Sequence, residues 1–195
     1  LVQVGGETWY AGHAGWGGQR KTANACDIAL HIHVDASYLS RSHARSVVGA
    51  IFFLGNRLQP TRINGTIHAI SSIIPCVVAS AAEAEYATIF AGAQHGAYLS
   101  TVLTDLGYPQ DPIIIMADNT TAIGIATDSI KQRRSKAVDM RFHWVRDRTR
   151  QGQFTIAYIN TNENLADYLT KKLDAQRHQR FSTFLVKAIS TSTSP

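Results

Sequence analysis

Cysteine is scarce in this sequence of 195 residues, which contains only Cys26 and Cys76. Two cysteines cannot build the disulfide framework of a small secreted domain, and they are too few for a cysteine-ligated metal cluster. Both are expected to be free thiols, one of them buried in an apolar segment. A reducing compartment inside the cell is therefore expected.

Long apolar runs are missing as well. The longest, residues 47–54, is too short to cross a bilayer. No basic segment followed by an apolar one opens the chain as a secretion signal would. We therefore expect no membrane partner. The sequence begins with leucine rather than methionine, and we expect it to be a piece of a longer polypeptide.

Hydrophobic residues make up 45% of the chain and charged residues 17%, as in a soluble globular protein with a sizeable core. The net charge of +5 is concentrated in residues 131–150, "KQRRSKAVDMRFHWVRDRTR", where eight basic residues face two acidic ones. Such a stretch favours a polyanionic partner such as nucleic acid. A solvated helix face is the alternative.

Hydrophobic periodicity predicts an ordered alternation of elements. Strands are expected at residues 29–36, 47–54, 65–74, 113–117 and 154–159. Helices are expected at residues 81–106, 120–127, 137–150, 162–171 and 175–189, with Asn119 or Thr120 as the N-cap of the second. Three successive strands followed by strand–helix units predict an α/β fold with a mixed sheet and helices on both faces.

Two aspartates stand where predicted strands end. Asp35 closes the first strand in "HIHVDAS", and Asp118 closes the fourth in "IIIMADN". Functional groups of α/β sheets gather at the carboxyl ends of strands. If these two strands are neighbours, the carboxylates face each other, and a divalent cation would offset their repulsion. For a single aspartate at a strand end, a turn or cap is the alternative.

The long helix offers Glu83 and Glu85, which lie about 200° apart around its axis, so only one can face a site. Ile89, Gly92 and Gly96 share the side of Glu85, and their small or apolar side chains predict the packing face. Glu85 is therefore expected to point inward and Glu83 towards water. Stabilisation of the helix start by acidic residues explains Glu83 fully and Glu85 poorly.

Asp167, in "NENLADYLTKKL", lies early in a predicted helix. The helix dipole alone would favour an aspartate there. Near Asp118 it would instead be a fourth carboxylate in a site for two cations. Hard oxygen ligands suit Mg²⁺, and two such ions can clamp the attacking and leaving oxygens of a phosphodiester.

Several histidines and a tryptophan invite functional interpretations. His31, His33 and Asp35 share one strand face, a spacing that fits either a transition-metal site or packing. His143 and Trp144 lie in the basic helix, where they could contact a substrate. A partly buried, packed position is expected for both.

Five motifs occur in order: "VDAS", "AAEAEYAT", "MADNTTAIGIA", "KAVDMRFHWVRD" and "NENLADYLTKKL". Together they resemble the ribonuclease H domain that follows the reverse transcriptase in Pol polyproteins of copia-type LTR retrotransposons, over about residues 30–185. The resemblance implies a ribonuclease H-like fold, with a five-stranded mixed sheet of three antiparallel hairpin strands plus two parallel ones. It also implies a Mg²⁺-dependent endonuclease that hydrolyses the RNA strand of RNA–DNA hybrids during reverse transcription.

In this resemblance Asp35, Glu85, Asp118 and Asp167 match the four catalytic, metal-binding carboxylates. They would hold two Mg²⁺ ions, for which Mn²⁺ can substitute. The loop "INTNEN" lacks the histidine that ribonucleases H often carry before the last carboxylate, so a proton-shuttling role for such a residue has no support.

Small residues without a sustained period predict an irregular lead-in at residues 1–28 and a flexible tail at residues 188–195. The resemblance implies that residues 29–187 are the ribonuclease H-like domain and that the lead-in is a remnant of the preceding reverse transcriptase. The adjoining reverse transcriptase and an RNA–DNA hybrid are the expected partners, in the cytoplasm or within virus-like particles.

Arg133, Arg134, Lys136 and Arg141 are the candidates for phosphate contacts with the hybrid. The main alternative is a catalytically inactive ribonuclease H-like module that binds nucleic acid or serves a structural role. An integrase or transposase core shares the fold, but it places its last acidic residue on a long helix after the fourth strand.

Overall fold

The computed structural model describes residues 28–56, 59–110, 112–127 and 139–186. The predicted lead-in up to residue 27, the predicted tail 188–195 and the basic segment 131–138 lie outside these ranges. The described elements follow the predicted order: three strands, a helix, a strand, two helices, a strand and two final helices.

The strands form one mixed sheet. They are β1 (Ile28–Arg41), β2 (Arg45–Asn56), β3 (Gln59–Ile73), β4 (Ile113–Ala117) and β5 (Phe154–Tyr158), in the spatial order β3-β2-β1-β4-β5. β2 pairs antiparallel with β1 and with β3. β4 pairs parallel with β1 and with β5. This is the predicted five-stranded mixed sheet, and the predicted fold class is confirmed.

The first hairpin extends further than predicted. β1 and β2 remain paired beyond the register shift at Ser37 and close at Arg41 and Arg45, around a 3₁₀ turn at Ser42–Ala44. Hydrophobic alternation ends near residue 37 because the outer half of the hairpin is solvent-exposed. Backbone pairing continues there without an apolar pattern that a sequence analysis could detect.

The described ranges contain five α-helices, which pack around the sheet: α1 (Ala81–Asp105), α2 (Thr120–Ala126), α3 (Asp139–Arg150), α4 (Asp167–Thr170) and α5 (Ala175–Leu185). Asn119 Oδ1 accepts a hydrogen bond from Ala122 N at 3.0 Å and is the N-cap of α2. None of the helices within the described ranges is long and apolar enough to span a membrane.

The predicted helix at residues 162–171 is mostly turn, and only α4 is helical. Asparagine side chains explain the difference, because they bond to nearby backbone groups in competition with a helix. Asn160 Oδ1 accepts a hydrogen bond from Asn162 N at 2.9 Å. The side chain of Asn164 bonds to β1 instead of lying along a helix.

The core lies on both faces of the sheet. Leu30, Ile32 and Val34 of β1 pack in a cluster with α1, whereas Phe53 of β2 packs with Phe181 of α5 on the opposite face. Residues 30, 32 and 34 therefore face α1. Since strand side chains alternate, residues 31, 33 and 35 face α4 and α5.

Glycines let α1 approach the sheet closely, as predicted. A Cβ at Gly92 would lie 2.8 Å from Val34 Cγ1, and one at Gly96 would lie 2.6 Å from Ile32 Cδ1. Carbon atoms do not approach so closely, so with a larger residue there the neighbouring side chains or the helix would have to move. This close packing holds α1 against the part of β1 that leads to Asp35.

Candidate metal centre

Three aspartates meet at one edge of the sheet. One carboxylate oxygen from each of Asp35, Asp118 and Asp167 lies within 4.8 Å of the other two. Asp35 lies in β1 and Asp118 follows β4, and these strands run parallel, with His33 opposite Met116. Asp35 and Asp118 therefore lie side by side, as the sequence predicted. The prediction that Asp35 closes its strand is wrong, because β1 continues to Arg41 in its pairing with β2. Asp167 begins α4 and completes the group.

Hydrogen bonds to β1 bring Asp167 to this edge. The fully buried Asn164 donates from Nδ2 to the Val34 carbonyl at 2.9 Å. Leu165 N donates to His33 Nδ1 at 3.2 Å. These two bonds fix the chain just before α4 against the strand that carries Asp35. Sequence reasoning missed Asn164, because it ends the polar run "NTNEN" and no local pattern separates it from its exposed neighbours.

A glycine in β2 gives α4 its place on the sheet. Gly49 pairs with Asp35 across the antiparallel ladder. A Cβ at Gly49 would lie 2.5 Å from Thr170 Cγ2 and 3.2 Å from the Ala166 carbonyl oxygen. The helix therefore rests directly on the β2 backbone, and this contact sets the height of Asp167 above the sheet.

Side chains following Asp167 contact the buried carboxylates. Thr170 Oγ1 donates a hydrogen bond to Asp35 Oδ2. Lys171 Nζ lies 3.0 Å from Asp35 Oδ1 and 2.7 Å from Asp167 Oδ1. Arg177 Nη2 lies 3.0 Å from Asp167 Oδ2. The sequence analysis missed all three residues, although the lysine four positions after Asp167 is at ion-pair spacing.

The charges at this edge shift the pKa values of the groups involved. Burial raises the pKa of Asp35 to about 6 and the charge of Asp167 adds to this, although the Thr170 hydrogen bond and Lys171 act in the opposite direction. Burial lowers the pKa of Lys171, but its bonds and charge interactions with Asp167 and Asp35 outweigh this and raise it above the ordinary value. Lys171 is therefore a firmly protonated cation.

Glu85 points inward from α1, as predicted, and is only 8% exposed. It is not part of the close three-aspartate group, but burial and the charges of Asp35 and Asp118 raise its pKa to about 8, against a hydrogen bond from the Ala36 backbone. Within the described part of the chain, Oε2 of Glu85 has no hydrogen-bond partner. Buried polar atoms normally have a partner, and a bound cation would supply one for this oxygen.

Glu83 has a separate role at the start of α1. Its backbone N–H donates to Ser80 Oγ at 3.2 Å, and its Oε2 accepts from Ala79 N at 2.8 Å. Ser80 is thus the N-cap of α1, and Glu83 bonds back to the residue just before the cap, in a variant of the capping box. The helical geometry that assigned Glu83 to the helix start and Glu85 to the interior is thus matched by their contacts.

The two histidines of β1 are packing residues. His33 Nδ1 accepts the Leu165 bond, and burial together with His31 lowers the pKa of His33 to about 3. Both rings contact Phe53, with centroids 5.6 Å away for His31 and 4.9 Å for His33. Among the described residues, the acidic group that could hold an ion includes neither histidine.

The structure describes one of the four residues predicted to contact phosphates. Arg133, Arg134 and Lys136 lie outside the described residues. Arg141 is half-buried, donates to Cys76 Sγ, and lies over the Phe90 ring at 5.9 Å from its centroid. It therefore joins α3 to α1, and its role with nucleic acid stays a prediction.

The aromatic prediction for α3 is half right. Trp144 packs edge-on against Phe90, with ring centroids 5.5 Å apart, as expected. His143 was expected to be partly buried and is exposed. The core-facing side of α3 is defined by Val145, which is fully buried, and His143 lies about 200° away from it.

The donor set fits a hard divalent cation. Carboxylate oxygens are the ligands that Mg²⁺ takes in proteins, and Mn²⁺ accepts the same set. The close aspartate oxygens and the unpartnered Glu85 oxygen supply such ligands from four separate elements. The structure brings three of the four predicted acidic residues together, and the sequence analysis missed the cationic and amide side chains around them. Their role in metal binding stays a prediction.

Comparison with known proteins adds independent information. No protein-family model matches the sequence. The chain is 34% identical over 107 residues to the retrovirus-related Pol polyprotein from transposon TNT 1-94 of Nicotiana tabacum, covering 55% of this chain and 8% of that protein. It is 27% identical over 157 residues to the corresponding protein from transposon RE2 of Arabidopsis thaliana, covering 80% of this chain and 10% of the relative.

Solved structures with a similar fold include LC11-RNase H1 in complex with an RNA/DNA hybrid, at 12% identity and a TM-score of 0.50. That match covers 72% of this chain and 92% of the other. A second LC11-RNase H1 structure, from compost, gives 14% identity and a TM-score of 0.50 over 72% and 91% of the two chains. This likeness shows the fold.

The chain therefore has a ribonuclease H-like fold, and its sequence relatives are retrovirus-related Pol polyproteins of plant transposons. The resemblance drawn from the five motifs is confirmed. The chain spans about a tenth or less of the length of these relatives.

Proposed function

We propose that this chain is the ribonuclease H domain of a copia-type retrotransposon Pol polyprotein, and that it hydrolyses the RNA strand of RNA–DNA hybrids with Mg²⁺. Residues 29–187 would form the domain, next to the reverse transcriptase of the same polyprotein. One observation carries the proposal. Carboxylate oxygens of Asp35, Asp118 and Asp167, which are far apart in the sequence, lie within 4.8 Å of one another.

Each carboxylate has a distinct role in the proposed site. Asp35 would be the central ligand, because its charge acts on Glu85 and it shares Lys171 with Asp167. Asp118 is half-buried whereas Asp35 and Asp167 are fully buried, so the hybrid would approach from the Asp118 side. When bound, Mg²⁺ would lower the pKa of a water molecule for attack on the RNA phosphorus and offset charge on the departing 3′ oxygen.

The surrounding residues keep the carboxylates in position. Thr170 and Arg177 each hold one oxygen of a buried aspartate. The tie between Asn164 and Val34 holds α4 against β1. Pre-organised ligands of this kind avoid rearrangement when an ion binds. The products would be a 5′-phosphate and a 3′-hydroxyl.

The test is cleavage of a hybrid whose RNA strand is labelled, compared with matched RNA and DNA duplexes, in Mg²⁺ and in EDTA. We expect cleavage of the hybrid RNA in Mg²⁺ alone. The substitution Asp118→Asn should keep the fold, since Asp118 is at the rim of the site, and lower the rate at least a hundredfold, the scale of losing a key electrostatic group.

Asp105→Asn is the matched control, because Asp105 is an exposed aspartate at the end of α1. It should cleave like the parent chain. Equal rates for Asp118→Asn and the parent would refute the assignment. Binding of the hybrid without any cleavage in Mg²⁺ or Mn²⁺ would favour the alternative, an inactive ribonuclease H-like binding module.

A further inference from the structure

Lys171 occupies a particular position among the carboxylates. Its ammonium nitrogen lies 3.0 Å from Asp35 Oδ1 and 2.7 Å from Asp167 Oδ1. Both aspartate side chains are fully buried, whereas the lysine side chain is 37% exposed. One ammonium group therefore bridges two buried carboxylates from the solvent side, and its stem has an open path to water.

The remaining oxygens of the two aspartates have other partners. Asp35 Oδ2 accepts from Thr170 Oγ1, and Asp167 Oδ2 pairs with Arg177 Nη2 at 3.0 Å. Arg177 is in turn anchored to the Thr161 carbonyl at 3.2 Å. These contacts fix the orientation of each carboxylate through the oxygen that does not contact Lys171. The two oxygens that contact Lys171 are the pair left for a shared cation.

We propose that the Lys171 ammonium is a placeholder for a divalent cation, bridging Asp35 and Asp167 in the metal-free protein and withdrawing when the ion binds. This inference rests on the proposed metal site and deepens it. Two adjacent buried carboxylates without a cation would repel strongly. Lys171 offsets that repulsion, and by the same contacts it competes with the ion.

If Lys171 competes with the ion, its removal should change ion binding in the opposite direction to the removal of a residue that only supports the site. Loss of a residue that merely supports a metal site weakens ion binding. Loss of a cation that occupies the bridging position strengthens it, because the ion no longer displaces a bound ammonium. Binding free energies of mutually exclusive ligands are linked in this way, with effects on the order of tenfold.

The variant test compares Lys171→Met with Lys172→Met in the whole chain. Lys172 is the next residue and is exposed, so the two variants change the net charge equally within one residue of each other. Mn²⁺ binding is measured by titration with MnCl₂, following the electron paramagnetic resonance signal of the free ion. We expect Lys171→Met to bind Mn²⁺ about tenfold more tightly than both the parent and Lys172→Met. Equal or weaker binding would overturn the inference.

A second measurement uses the unaltered protein and so does not depend on a variant that folds. An amine-acylating reagent is applied at low dose, and acylation at each lysine is quantified by peptide mass spectrometry. Without ions, Lys171 should react several times more slowly than Lys172, because its ammonium is held by two carboxylates. Saturating Mg²⁺ should raise the Lys171 rate and leave the Lys172 rate unchanged. A Lys171 rate unaffected by Mg²⁺ would contradict displacement.

These outcomes separate the inference from the proposed function. Tighter Mn²⁺ binding by Lys171→Met, in a protein that cuts no hybrid, would support the placeholder and count against the nuclease. Cleavage of hybrids by the parent, together with unchanged Mn²⁺ affinity in Lys171→Met, would support the nuclease and count against the placeholder. Absence of Mn²⁺ binding in the parent and both variants would overturn the inference and the metal site together.

Discussion

At the scale of single residues, Glu85 is a buried carboxyl group whose ionised form the fold disfavours. Its Oε2 lacks a hydrogen-bond partner among the described residues, and Asp35 and Asp118 both oppose its ionisation. A buried carboxylate near like charges is strained in its ionised form. This group should therefore make the stability of the protein depend on pH.

The sign follows from the raised pKa. The ordinary pKa of 4.5 becomes about 8 in the fold. Between these values the folded protein keeps a proton that the unfolded chain has released, so the folded state binds more protons and loses stability as pH rises. The loss is at most about 1.4 kcal/mol for each pH unit.

We therefore predict that Glu85→Gln, measured in EDTA, removes this dependence. An amide of similar shape carries no charge at any pH, so the variant should be more stable than the parent at pH 8 and similar to it at pH 4.5. Urea unfolding at several pH values measures the free energies. Glu83→Gln is the control and should run parallel to the parent, shifted only by loss of a negative charge near the helix start, because Ser80 remains the N-cap. If the unfolding free energy of Glu85→Gln changed with pH in the same way as that of the parent, the buried charge of Glu85 would not be the cause of the pH dependence.

The direction in which a side chain points could be predicted from the sequence where it depends on the geometry of a single helix. Glu85 could be chosen over Glu83 because the 100° step of a helix and the apolar residues on one side define the buried face. Lys171 and Thr170 could not be assigned to Asp35, because that contact spans 135 and 136 positions. The contact with Asp35 forms only when α4 packs on β2 in the folded protein.

At the scale of elements, α4 is a helix of a single turn, yet it carries Asp167 and Thr170. Such a short helix has little stability of its own. Its position depends on the Gly49 backbone beneath it, on the Asn164 bond to β1 and on the Leu165 bond to His33. The geometry of the metal centre is therefore sensitive to the surface on which α4 rests.

Gly49→Ala should displace this helix. The added Cβ would lie 2.5 Å from Thr170 Cγ2, and overpacking of this kind costs about 1–3 kcal/mol. We expect lower stability. We also expect Mn²⁺ binding weakened by about tenfold, because Asp167 moves with α4; this corresponds to about 1.4 kcal/mol. Urea unfolding and MnCl₂ titration give the two quantities.

The matched rescue is Thr170→Ser in the Gly49→Ala background. Serine removes the Cγ2 methyl group that the new Cβ meets and retains the hydroxyl that donates to Asp35. Part of the lost Mn²⁺ affinity should return. Failure of the serine to recover any affinity would mean that the clash with Thr170 does not govern the site.

Element prediction was accurate for segments with a strong period and poor for those without one. The strand 113–117 and the helix α1 follow their predicted ranges within a residue. The outer half of the first hairpin and the turns before α4 lack a hydrophobic period. They are instead determined by backbone pairing and by asparagine side chains bonding to other elements. Such long-range contacts do not appear as a local pattern.

At the scale of the whole molecule, an ion that binds the folded site should stabilise the entire chain. The carboxylates come from β1, the end of β4, α1 and α4, so unfolding must disperse the ligands. A ligand at a hundredfold its dissociation constant stabilises a fold by about 2.7 kcal/mol. We predict that MgCl₂ raises the melting temperature, whereas KCl at equal ionic strength does so much less.

Asp118→Asn should lose most of this gain in melting temperature, and Asp105→Asn should keep it. Circular dichroism at several MgCl₂ concentrations measures the shift. An equal rise in all three proteins would point to general screening of charge rather than to a bound ion.

The bonds that join residues 164–165 to His33 and Val34 have a consequence for synthesis on the ribosome. The five-stranded sheet can be paired once the segment up to Tyr158 has left the exit tunnel, yet Asp167 and its neighbours emerge later. A nascent chain at that stage would have Asp35 and Asp118 together, with no Lys171 or Thr170 beside them. Competence to hold ions would thus arise only after α4 has left the tunnel and the segment before it has bonded to β1.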